Sequence, residues 1–135
     1  MSPRPQQAAV IPFRRSGNSV SLCLITAAAS RSWVIPKGTI ERGSSPEETA
    51  LQEAWEEAGL RGRIVGESLG RYEYEKAGVL LTVAVYLMEV ESEAEQWEEQ
   101  ELRRRRWVTA HEASRLLSGH PGWPLIEEAC TRLTG

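Results

Sequence analysis

The chain has 135 residues, of which 41% are hydrophobic and 26% charged, with a net charge of −3. These values suit one globular domain spanning 1–135, long enough for a proper core, with a flexible start over residues 1–6. They argue against nucleic-acid binding driven by overall charge. No apolar run approaches a membrane span, the start M-S-P-R-P-Q-Q lacks the apolar centre of a signal peptide, and Cys23 and Cys130 show no disulfide or zinc spacing, so a reducing cytoplasm is expected.

Gln7 to Arg15 reads as a first strand, interrupted or placed at an edge by Pro12. Ser16-Gly17-Asn18 makes a turn and Ser19 to Ala28 a second strand, together a hairpin. Arg14 and Arg15 close the first strand, where they can face a polyanionic substrate or simply be solvated. Trp33-Val34-Ile35 is a short strand leading to a Pro36-Lys37-Gly38 loop. Trp33 suits core packing better than ligand stacking. Gly38 allows close backbone approach and can offer its carbonyl to a cation.

The best-punctuated element follows. Ser45 caps a helix, Pro46 fits its first position, and Glu48 completes a capping box. Gly59 ends it. At about 100° per residue, Ala50, Leu51, Ala54, Trp55 and Ala58 fall on one side, and Glu53, Glu56 and Glu57 gather on the other. Like charges at these spacings repel. A solvated acidic face is the plain explanation; a hard divalent cation, which takes oxygen ligands, would instead turn repulsion into coordination. Lys37, beside that face, can offset phosphate charge.

Strand material continues through Arg61 to Gly66 and Glu67 to Glu75, broken at Gly66 and Gly70, with Tyr72 and Tyr74 alternating against glutamates. Lys76-Ala77-Gly78 is a turn. Val79 to Val90, the most apolar run, is the expected central strand. Glu91 to Glu101 is an acidic connection. Leu102 to Val108 then forms a strand in which Arg103 and Arg105 share a face with Trp107. One arginine of this run, with Arg105 as the candidate, can grip phosphate bidentately. Thr109 and Glu112 box a helix from Ala110 to about Leu117, and Trp123 to Leu133 forms the last helix. His111 and His120 have no partner spacing and suit surface or helix-end roles.

The stretch Gly38 to Leu60 resembles the Nudix box. Gly38, Glu53, Ala54, Glu56, Glu57, Gly59 and Leu60 match at the right spacing. Ser44 stands where the box has its first Glu, and Gln52 where it has Arg. Both are neutral, which reads as a substituted strut: Ser44 and Gln52 can hydrogen-bond to each other or to backbone. The resemblance implies an α/β/α sandwich around a mixed sheet, with Glu53, Glu56 and Glu57 binding magnesium, or manganese in its place. It also implies hydrolysis of a diphosphate linkage, with Glu53 and Glu57 as the catalytic carboxylates. An additional acid from a loop outside the box often assists in this family; Glu98 is the candidate, with Glu99 and Glu101 as alternatives.

Trp97-Glu98-Glu99, Arg105 to Val108, His111-Glu112-Ala113 and Leu116-Leu117 look like the matching segment of diphosphoinositol polyphosphate phosphohydrolases, which also tend to cleave dinucleoside polyphosphates. The expected partner is therefore a phosphorylated small molecule held by Arg14, Lys37 and Arg105. No membrane and no nucleic-acid partner is indicated, and homodimerisation stays open. Two rival readings are a nucleoside triphosphate or RNA 5′-end hydrolase, with Trp33 or Tyr72 stacking on the base, and a non-catalytic ligand-sensing module of the same fold.

Overall fold

The computed structural model describes residues 4–135. Its sheet contains β1 (Gln7–Ser16), β2 (Ser19–Thr26), β3 (Trp33–Val34), β4 (Lys37–Thr39), β5 (Leu60–Lys76), β6 (Val79–Glu93) and β7 (Arg105–Val108). The helices are α1 (Pro46–Ala58), α2 (Ala110–Leu117) and α3 (Trp123–Thr134). The main strand order is β3-β2-β1-β6-β5, with β4 beside β1 and β7 beside β2. The β1–β6 pair is parallel and the others are antiparallel, so the sheet is mixed.

The apolar runs of the central strands follow from burial on both faces. Ala8 and Val10 of β1, Cys23 and Ile25 of β2, and Ala84, Tyr86 and Met88 of β6 face Ala50, Ala54 and Ala58 of α1. Their neighbours Ala9, Ile11, Leu22, Leu24, Val83 and Val85 pack on the opposite face with Leu117 of α2 and Ile126 of α3. This is an α/β/α sandwich. The alanines of α1 are fully buried, and their small side chains let the helix lie close to the sheet.

Several local expectations change in the fold. Pro12 neither interrupts β1 nor places it at an edge: β1 is central, and Pro12 pairs in register with Met88. On the other flank, β1's partner changes from β4, whose register ends at Ala9, to β2, whose register starts at Phe13. Val10 donates its N–H to Pro36 on that flank, so Pro12, two residues on, directs its missing donor into the gap between partners. Pro36-Lys37-Gly38 is not simply a loop, because Lys37 opens β4 and pairs with Ala9. The two segments expected around Gly66 and Gly70 form one strand, β5, with a register slip between Val65 and Gly70.

Arg103 lies outside β7, so it does not share a strand face with Arg105 and Trp107. Of the start expected to be flexible, residues 1–3 fall outside the described residues. Arg4 donates to the Ser44 carbonyl, Pro5 is buried, and Gln6 exchanges backbone bonds with Thr82 and Ile40.

Candidate active site

The position of α1 is set first by its own sequence. Ser45 accepts from the Glu48 N–H at 3.0 Å, and the Glu48 side chain accepts from the Ser45 N–H at 2.9 Å. At the other end Gly59 adopts the left-handed conformation, φ 66°, that a side chain would strain. Between these caps, Glu53, Glu56 and Glu57 occupy successive turns of one face.

That face is not uniformly solvated. Glu57 is only 7% exposed, whereas Glu53 and Glu56 are half-buried. One Glu57 oxygen accepts the Lys37 backbone N–H at 3.1 Å, and the other accepts Nη2 of Arg103 at 3.1 Å. Glu53 lies against Gly38: a Cβ added at Gly38 would overlap the Glu53 carboxylate, so the close approach of β4 to α1 requires glycine there. Burial pushes the Glu53 carboxyl up to about 8, with the neighbouring Glu57 and then Glu56 adding to the rise. Burial also raises Glu57, to about 6, against the pull of Arg103 and the Lys37 N–H. Three crowded oxygen donors, two of them held back from ionising, form a set that fits a hard divalent cation.

The acidic connection reaches the same place. Glu99 donates its N–H to the Glu56 carbonyl at 3.1 Å, and Trp97 Nε1 donates to the Glu57 carbonyl at 2.9 Å. One carboxylate oxygen each from Glu56, Glu98 and Glu99 lies within 4.8 Å of the others. The structure therefore brings Gly38, Lys37, Glu53, Glu56, Glu57 and Glu98 together. Glu101 is exposed.

The two arginines singled out from sequence are engaged elsewhere. Arg105 donates to the Ala58 carbonyl at 2.7 Å, pairs with Glu93 at 3.2 Å, and lies 4.0 Å from the centre of the Trp97 ring. Arg14 stacks 3.9 Å above Trp107 and approaches Glu93 at 3.8 Å. The arginine beside the glutamates is Arg103, which sequence reasoning placed on a strand. Its one local signal is the Glu99/Arg103 spacing of four residues.

Two further cations belong to this neighbourhood. Lys37 Nζ donates to the Tyr74 hydroxyl at 2.9 Å, and that hydroxyl donates to Gln7 at 2.7 Å. Lys37, Lys76 and Arg103 line a cavity of about 350 Å³ with Glu57 and Ala27 to Ala29. Glu53 and Glu56 face a second cavity, of about 500 Å³, that also contains Ser44 and Gln52. Gln52 donates to Glu56 at 2.8 Å, not to Ser44. The Ser44 backbone is held instead, its N–H on Glu41 and its carbonyl on Arg4.

Residues 3–128 match the NUDIX domain profile. The chain belongs to the Nudix family. Nudix hydrolase 16, mitochondrial, of Arabidopsis thaliana is 33% identical over 124 residues, covering 78% of this chain and 68% of that protein. Diphosphoinositol polyphosphate phosphohydrolase 3-alpha of Homo sapiens is 29% identical over 117 residues, covering 85% of this chain and 70% of that one. A C. elegans Ap4A hydrolase, solved as a binary complex, superimposes with a TM-score of 0.83 at 19% identity, covering 98% and 99% of the two chains. Against the plant Nudix hydrolases 4, 16 and 21, this chain spans 46%, 68% and 59% of their lengths. No helix among the described residues is long and apolar enough to cross a membrane.

Proposed function

We propose that this Nudix domain hydrolyses a diphosphate linkage in a dinucleoside polyphosphate or a diphosphoinositol polyphosphate, with magnesium, or manganese in its place. The observation that carries the reading is the juxtaposition at Glu57. Glu57, which shares one turn-and-a-half of α1 with Glu53 and Glu56, lines a cavity with Lys37, Lys76 and Arg103. Glu53, Glu56 and Glu57 would hold the metal, with the Gly38 carbonyl and Glu98 as further oxygen donors. A bound divalent cation supplies charge neutralisation on phosphate oxygens and lowers the pKa of water.

The chain's own groups do the remainder. Glu57 is oriented by the Lys37 N–H and Arg103, one partner on each oxygen. Glu53, which holds a proton until about pH 8 without metal, is the carboxylate proposed to receive the proton of the attacking water. Lys37 and Lys76 offset charge accumulating along the phosphate chain. With Arg105 capping α1 and Arg14 stacked on Trp107, any phosphate they hold would lie outside this cavity.

A nucleotide substrate has one specific feature in its favour. Trp33 and His120 line a cavity that shares Val34 with the cationic one, a place where a base would meet two rings. Burial lowers the His120 pKa to about 4, with Lys37 assisting, so this ring stays neutral at pH 7. The buried, unpaired Cys23 and Cys130 support a reducing compartment, for which we propose the cytoplasm.

The test is product analysis on diadenosine polyphosphates, nucleoside triphosphates and inositol pyrophosphates with magnesium, comparing wild type with Glu57→Gln. Products that vanish in the variant support the hydrolase, and their identities name the bond. No turnover by wild type across the panel would overturn the reading and favour a ligand-sensing module.

A further inference from the structure

The Arg103 side chain joins three elements around Glu57, and nothing in the box assigns it. It is 13% exposed, and each of its three guanidinium nitrogens has a different partner. Nη2 donates to Glu57 Oε2 at 3.1 Å, Nε to Glu99 Oε1 at 2.8 Å, and Nη1 to the Thr26 carbonyl at 3.1 Å. Those partners belong to α1, to the acidic loop and to the end of β2.

The loop already touches α1 through its backbone, by the bond from the Glu99 N–H to Glu56. That bond fixes where the loop lies but leaves the carboxylates of Glu98 and Glu99 free to rotate. Arg103 removes this freedom for Glu99 and, by the same fork, fixes the Glu57 side chain. Guanidinium is planar and presents its donors in fixed directions, so holding Glu57 to Thr26 also sets the angle at which Glu99 is presented. A lysine at this position would keep the charge but offer a single point of contact.

We propose that Arg103 is a positioning residue that makes the box helix and the acidic loop into one ligand set for a divalent cation, presenting Glu99 to Glu56 and Glu98 while holding Glu57 in place. The inference rests on the metal-dependent hydrolase reading.

The experiment is a Mn²⁺ titration of the full chain, following free Mn²⁺ by electron paramagnetic resonance, for wild type, Arg103→Met and Arg103→Lys. Amide exchange over residues 94–104 and thermal unfolding are measured alongside. Removing an outer partner of metal ligands typically weakens affinity about 10- to 100-fold. Arg103→Met is expected to raise the Mn²⁺ Kd by that factor and to speed exchange across the loop. Arg103→Lys is expected to recover less than half of the loss on a logarithmic scale.

A wild-type Kd in Arg103→Met overturns the proposal, as does full recovery in Arg103→Lys, which would make charge alone sufficient. If Arg103→Met does not fold, Arg103→Lys carries the test alone, and a wild-type Kd with wild-type loop exchange overturns it. Wild type that binds no Mn²⁺ overturns the metal-dependent reading and this inference together, whereas wild type that binds while the variants match it overturns only the inference.

Discussion

At its amino end α1 closes on its own residues, Ser45 and Glu48 exchanging bonds across three positions, whereas at its carboxyl end the carbonyls of Glu56, Glu57 and Ala58 accept from Glu99, Trp97 and Arg105. The last turn of α1 contains no basic residue of its own. The positive charge that favours a helix C-terminus is supplied by Arg105, 47 residues from Ala58 in the chain. The carboxylates proposed for the metal sit toward this borrowed end. One end of the helix is a local structure, and the other is an assembly. Chemistry is placed where distant segments meet, because only there can extra donors and acids be brought to Glu56 and Glu57.

The largest effect expected at the assembled end is on activity. Glu53→Gln keeps the shape but removes the proposed proton acceptor, a role typically worth about 10²- to 10⁴-fold. Steady-state rates should show that loss in kcat, while thermal unfolding without metal should show equal or greater stability, since one of three crowded acids is gone. A fall in stability that matches the fall in rate would mean that Glu53 is structural.

Arg105→Ala comes next. It strips the Ala58 carbonyl and Glu93 of a shared partner inside the fold, and hydrogen bonds to charged groups are worth about 1.5–3 kcal/mol. Urea denaturation should show a loss in that range. Ser45→Ala at the local end should cost only about 1 kcal/mol. If Ser45→Ala proved the more damaging, the contrast between a local and an assembled end would be wrong.

This contrast also explains what could be read in the sequence. The caps of α1 and α2, the alanine stripe and the doubly buried strands are encoded by residues a few positions apart, and all were legible. Arg103 and Arg105 looked alike in a four-arginine run. They diverge because β7 pairs with β2, Cys23 opposite Trp107 and Ile25 opposite Arg105, and only that register sends Arg105 to the end of α1. Arg103, just before the strand, turns to Glu57. Pro12 misled for a related reason: a proline is tolerated in a central strand where the strand changes partner, and partner changes have no local signature. Glu57 looked solvent-facing on a helical wheel, yet it is buried because β4 and Arg103 cover it.

A pH titration of stability probes the same crowding more gently. In the fold, Glu53 keeps its proton up to about pH 8, whereas in the unfolded chain it titrates near 4.5. Between those values the folded state binds more protons, so Glu53 makes the metal-free protein lose stability as pH rises from about 4.5 to 8, with no further loss above. Glu57 adds the same sign up to about 6. His120 opposes both, since its lowered pKa costs stability as pH falls from 6.5 toward 4. The difference between wild type and Glu53→Gln reports the Glu53 contribution together with its interaction with Glu57. In chelator, that difference should grow from pH 5 to pH 8 in favour of the variant, and a flat difference would sink the assignment.

The smallest effect is expected from replacing the two residues in which this stretch departs from the Nudix box pattern. Ser44 and Gln52 line one cavity, but Gln52 already donates to Glu56, and Ser44 is held through its backbone. Gln52 is thus tied to its own helix, and the loop at Ser44 to Glu41 and Arg4. A partly exposed ion pair contributes about 0.2–1 kcal/mol, so Ser44→Glu with Gln52→Arg should change kcat/KM by no more than about fivefold. Releasing Glu56 from Gln52 leaves that carboxylate free for a cation, which argues for the direction being a gain. A gain of about a hundredfold or more would exceed anything an ion pair of this exposure supplies, and would mean that the present pair of neutral residues holds the site in an impaired state.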